Sequence, residues 1–154
     1  MVVNRRVEQG IYVVLMLSLE KDHRPLRSTE LSSLLSVSDS YLKKILRQLV
    51  LADIITSTAG RDGGFQLARS IEKITLSDIY RALEGEECEI KSTGIGKGIF
   101  SQDKEFATGE KKVEKAFERA NTAFLNELGE LPLSELLSKK NYSKGTIDFE
   151  SMAH

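Results

Sequence analysis

The chain has 154 residues, 40% hydrophobic and 29% charged, with a formal net charge of −1, which fits one soluble domain, with or without an appendage, that needs no disulfide or metal to bury its core. Aromatic residues make up 6% with no tryptophan, which argues against a carbohydrate cleft or a base-stacking platform. The one cysteine, Cys88, excludes an intrachain disulfide and an all-cysteine metal cage within one chain, and His23 and His154 are too few for a histidine-rich metal site or a histidine-based catalytic triad.

Arg5 and Arg6 ahead of the apolar run 11–19 resemble the start of a signal peptide. Glu8 and Gln9 interrupt the pattern, however, and Glu20-Lys21-Asp22-His23 stand where a cleavage site should be. The run is too short to span a bilayer, so the expected location is cytoplasmic, with no membrane partner. Val7, Ile11, Val14, Leu15 and Leu19 recur on one helical face and predict a first helix over 4–19. A second helix is expected over 28–35, capped by Ser28 or Thr29, with Leu31, Leu34 and Leu35 inward. After a tight connection, Ser38 can cap a third helix over 39–52, whose first turn takes Asp39.

Two short strands, 54–56 and 65–67, flank a tip with Gly60, Gly63 and Gly64, which marks a hairpin needing unusual backbone angles. Thr75 and Asp78 have the spacing of a capping box and open a helix over 75–83. Residues 84–89 are acidic around Cys88, and 91–103 read as loop. The stretch 94–98, with three glycines, lacks P-loop spacing and reads as linker. A longer helix follows over 104–128. Its Phe106, Val113, Phe117, Ala120 and Phe124 lie near a 3.5-residue spacing, a seam for another helix. Phe106, Val113, Phe117 and Phe124 could also line a small-ligand pocket between subunits, but a dimer core explains the spacing more simply. Pro132 opens a short last helix over 133–138, and 141–154 read as a polar, flexible tail. The expected division is a DNA-binding unit over 1–84, a linker over 85–103, dimerisation helices over 104–140, and the tail.

Helix, helix, turn, helix and a glycine-tipped hairpin is the order of a winged helix-turn-helix, mainly α with a small β-wing. The third helix turns Leu42, Ile45, Leu46, Leu49 and Val50 inward and Ser40, Lys43, Lys44 and Arg47 outward. Such a small, polar and basic face can enter a major groove. Arg61 projects from the wing tip, where a narrow minor groove attracts arginine, and Arg5 and Arg6 are candidates for phosphate contacts. Residues 1–70 carry a net +3 and 71–154 a net −4, consistent with one basic, anion-facing half.

On these residues the chain resembles the IscR/NsrR/CymR (Rrf-type) family of bacterial winged-helix regulators. The carriers are Val37-Ser38-Asp39-Ser40-Tyr41-Leu42 with Ile45 and Leu49, then Gly60, Gly63-Gly64-Phe65-Gln66-Leu67-Ala68-Arg69, Ile74-Thr75-Leu76-Ser77-Asp78-Ile79 and Ala82-Leu83-Glu84-Gly85. The resemblance covers roughly 3–130. It implies a symmetric homodimer joined through the long C-terminal helix, a palindromic double-stranded operator, and repression or activation of nearby genes. The usual wing arginine precedes Gly60; here that place is Ala59 and the arginine is Arg61.

Family members with an iron–sulfur cluster supply three cysteines before the dimer helix, where this chain offers only Cys88. The resemblance therefore points to the cluster-free branch, with no cofactor and with a signal brought by a regulatory protein or a small-molecule effector. Cys88 itself reads as an inert thiol or as a one-cysteine redox sensor; its glutamate neighbours disfavour the reactive thiolate. The expectation is a homodimeric DNA-binding regulator, more often a repressor, and not an enzyme. The alternatives are a winged-helix adaptor acting through protein contacts and a redox-responsive regulator using Cys88.

Overall fold

A computed structural model describes residues 4–85 and 93–153. Cys88, and with it both readings of that thiol, lies outside the described residues.

Helix α1 (Arg5–Leu19) is the central element. Asn4 caps it by accepting from the Arg6 N–H at 3.0 Å. Val7, Ile11 and Val14 are buried as expected, but Leu15 and Leu19 are only half-buried, while Val13 and Leu17 are fully inside. The apolar stripe is wider than one face because α1 is packed by α3 (Asp39–Leu51), α4 (Leu76–Glu84), β2 (Gly64–Leu67) and α7 (Lys139–Lys144). Gly10 permits the close crossing of α1 and α4: a Cβ there would meet Leu83 Cδ1 at 2.6 Å and Ile79 Cγ2 at 3.1 Å.

Helix α2 (Ser28–Leu34) and α3 form the helix-turn-helix, joined by a turn in which Ser36 takes φ +53°. The cap of α2 differs from expectation. Arg27, not Ser28 or Thr29, is the N-cap residue, and its N–H donates to the buried Glu30 carboxylate at 2.7 Å. Glutamate thus closes its half of a capping box without the usual hydroxyl partner. Ser38 caps α3 as expected, accepting from the Tyr41 N–H at 3.3 Å. Leu42, Ile45, Leu46 and Leu49 enter the core, while Val50 is half-buried.

Strands β1 (Ile55–Thr58) and β2 pair antiparallel, with Ile55 opposite Leu67 and Thr58 opposite Gly64. Leu26 adds a one-residue third rung, exchanging backbone bonds of 3.0 and 2.8 Å with Phe65. The wing glycines serve close approach. A Cβ on Gly63 would strike the Thr58 carbonyl, and one on Gly64 would sit 2.6 Å from the Leu26 oxygen. Thr75 and Asp78 close a full capping box on α4, with bonds of 2.8 and 3.2 Å.

Two segments differ from the sequence reading. The stretch expected as loop contains a short helix, α5 (Ile95–Ile99), after which Phe100 stacks on Phe106 at 4.7 Å. The last expected helix is a single 3-10 turn, Leu133–Leu136, and residues 141–153 are laid against the winged domain through the end of α7 and α8 (Phe149–Met152). The long helix α6 (Phe106–Gly129) packs on α4, with Phe124 edge-on to Tyr80 at 5.1 Å.

Candidate nucleic-acid interface

Helix α3 presents Ser40, Lys43, Lys44 and Arg47 on its exposed face. The same amphipathic period that buries Leu42, Ile45, Leu46 and Leu49 turns these four outward. Lys43 bonds Asp39 at 2.7 Å, one turn earlier. The Lys43 ammonium, joined by the Ser28 hydroxyl, holds the Asp39 carboxyl below its ordinary value. The pairing joins Lys43 to a carboxylate one turn nearer the start of α3.

Arg61 lies exposed at the wing tip, and its carbonyl accepts from Arg27 Nη2 at 2.8 Å. Sequence reasoning missed Arg27. Its contact spans 34 residues and carries no periodic signal. Only its place at the junction of hairpin and helix could have marked it. The structure brings α3 and the wing to α2: Arg27, at its start, holds the wing tip, and α2 itself packs on α3. Arg5 is exposed at the start of α1, whereas Arg6 is half-buried and pairs with Glu84 at 3.7 Å.

On α6, Val113, Phe117 and Phe124 remain 53%, 48% and 45% exposed, and Ala120 is exposed beside them. Phe106 is half-buried under Phe100. A separate cleft of about 490 Å³ opens between the wing base and α7, with Leu17, Leu67 and Ile71 as apolar lining and Tyr142 donating to Glu72 at 2.9 Å. No group of three or more His, Cys, Asp or Glu residues able to hold a metal occurs among the described residues. No helix among the described residues is long and apolar enough to cross a membrane.

Comparison with known proteins agrees with this architecture. YffB of Lactococcus lactis, named for an HTH-type transcriptional regulator, is 30% identical over 146 residues, covering 92% of this chain and 91% of that protein. A transcriptional regulator from Lactobacillus plantarum superposes with a TM-score of 0.69 at 18% identity, over 97% of this chain and 98% of that one. CymR, the global cysteine regulator of Bacillus subtilis, superposes with a TM-score of 0.60 at 19% identity, over 88% and 95%. These two likenesses show the fold. The family model for Rrf2, described as an iron-dependent transcriptional regulator, matches residues 3–139. A winged helix-turn-helix whose third helix exposes a basic face, matched along nearly its whole length, places the chain in the Rrf2 family of transcriptional regulators, which are not enzymes.

Proposed function

We propose that the protein is a homodimeric, sequence-specific DNA-binding repressor that works without an iron–sulfur cluster. The observation that carries this reading is the exposed cationic face of α3, with the wing arginine tied to the N-cap of α2, the helix that packs on α3. Ser40, Lys43, Lys44 and Arg47 enter a major groove, where Lys and Arg donate to guanine edges or phosphates. Arg61 enters the adjoining minor groove. Arg5 and Arg6 add phosphate contacts, Arg6 by leaving its 3.7 Å pairing with Glu84.

The second copy of the chain covers α6. Val113, Phe117 and Phe124 lie four and then seven residues apart, and an apolar row of that spacing left exposed suits a partner helix of the same pattern. A two-fold dimer sets the two α3 helices about one DNA turn apart, about 34 Å, and so reads a palindrome. For an effector, the cleft at the wing base is the place that touches both the wing and α7.

The test is an anisotropy titration on the DNA upstream of the protein's own gene, at two salt concentrations, with a random duplex and the R47A variant as controls. The expected result is specific binding that falls steeply with salt and weakens about 10-fold or more in R47A. Equal, weak binding to both duplexes would point instead to a winged-helix adaptor.

A further inference from the structure

The wing tip is poorly held by its own hairpin. The ladder ends at Thr58 and Gly64, and across the tip the Gly63 N–H reaches the Gly60 carbonyl at 3.2 Å. Gly60 takes φ +109° with open space around it, so nothing packs that end of the loop. What fixes Arg61 lies outside the hairpin: Arg27 Nη2 donates to its carbonyl at 2.8 Å. Arg27 is itself anchored. Its N–H is taken by the buried Glu30 carboxylate at 2.7 Å, and its neighbour Leu26 is bonded in both directions to Phe65 in β2. On the other side, the helix that follows Arg27, α2, packs on α3.

We propose that Arg27 is a positioning residue for DNA reading. Resting on the reading above, its guanidinium holds the main chain at Arg61 so that the Arg61 side chain is presented to the minor groove at a fixed distance from α3. A charge-assisted bond to a carbonyl is stronger than a neutral one and suits this task. It leaves the Arg61 guanidinium free, because the bond uses the backbone oxygen. It also answers a feature of this sequence: the tip arginine stands after Gly60, not before it, and needs its own support.

An exposed arginine beside a DNA site could instead touch a phosphate directly, and the experiment separates the two roles. The full chain is prepared as the native protein, R27M, R61A and R27M/R61A. Amide exchange across residues 58–65 is read without DNA, and affinity for the upstream duplex is read by anisotropy. A second variant, R27K, keeps the charge and its phosphate attraction but loses the planar fork. The clamp predicts wing exchange about 10-fold faster in R27M and measurably faster in R27K, with α3 amides unchanged. It also predicts an affinity loss of about 5-fold for R27M when Arg61 is present and less than about 2-fold when it is absent. Equal losses in both backgrounds would make Arg27 a phosphate contact and overturn the proposal, as would unchanged wing exchange. Should the native protein not distinguish its upstream DNA from a random duplex, the DNA reading fails on its own arm, while the exchange arm still decides whether Arg27 holds the tip.

Discussion

Arg69 stands at the base of the wing with its guanidinium on three partners: the Asp53 carbonyl at 2.8 Å, the Lys73 carbonyl at 3.3 Å and the Asp78 carboxylate at 3.2 Å. Each partner has its own reason to be held. Asp53 takes φ +53°, an uncommon conformation for a residue with a side chain. Lys73 ends a 3-10 turn, and Asp78 caps α4. Arg69→Met removes all three contacts at once. With the side chain about one-third exposed, the expected cost is about 2 kcal/mol. Calorimetry should then show the melting midpoint falling by about 4–8 °C. The face of α3 is untouched, so specific DNA affinity measured well below the midpoint should stay within about 2-fold of the native value. Arg69 stood in the sequence as part of the motif that carries the family resemblance, yet its structural work was not legible there. Two of its three partners are main-chain carbonyls, which any residue supplies and no sequence pattern marks.

The chain end shows the same limit at the scale of elements. Arg24 bonds the fully buried Glu20 at 2.6 Å, Asp148 at 3.2 Å and Glu150 at 3.0 Å. Glu20 also accepts from the Phe149 N–H at 2.9 Å, and Ile147 exchanges backbone bonds with Leu19 and Lys21. Gly145 makes this approach possible, since a Cβ there would strike the Glu20 carbonyl. The helices α7 and α8 are too short to show an apolar stripe, and the ion-pair partner of Asp148 and Glu150 lies more than 120 residues away, so a polar tail was the natural reading. By contrast α3 and α4 were legible because each has both a cap and a buried face. The cationic face of α3 was legible for the same reason, being the complement of that buried face. The latch has a pH dependence of known sign. Asp148 is held below its ordinary value by the Ser151 N–H and hydroxyl and then by Arg24. A depressed carboxyl contributes its stabilisation fully above its unfolded value, near about 3.9, and loses it as pH falls through the lower folded value. Exchange protection at the Ile147 and Phe149 amides should therefore be flat from neutral pH down to about pH 5 and decline below the ordinary carboxylate range. In R24M it should be weak at every pH, and strong protection there would show that Arg24 does not hold the tail.

For the whole molecule, the exposed row on α6 decides whether one reading unit or two meet the DNA. Phe117 is near the middle of that row, and Phe117→Asp places a charge where a partner helix should pack. Sedimentation should show a dimer for the native chain and a monomer for F117D. A cooperative thermal transition in the same samples should show F117D still folded, and the folded monomer should bind the operator about 100-fold or more weakly, since linked half-sites gain that much from joint engagement. Inserting half a helical turn between half-sites should cost the native dimer a similar factor, by turning one half-site to the far side of the duplex. A native chain that sediments as a monomer would remove the dimer from the proposed mechanism.

Gly10 gives that dimer a gauge, as rails have. Helix α4 touches α1 on one side and α6 on another. Helix α3 packs on both α1 and α4, so the place of the α3 tread relative to the α6 axle responds to how closely α1 and α4 cross, where a Cβ on Gly10 would push Leu83 Cδ1, 2.6 Å away, out of its place. Gly10→Ala should leave each tread's preference for bases intact and shift the preferred separation of the two half-sites, so that selection from a library of spaced palindromes would return a wider track.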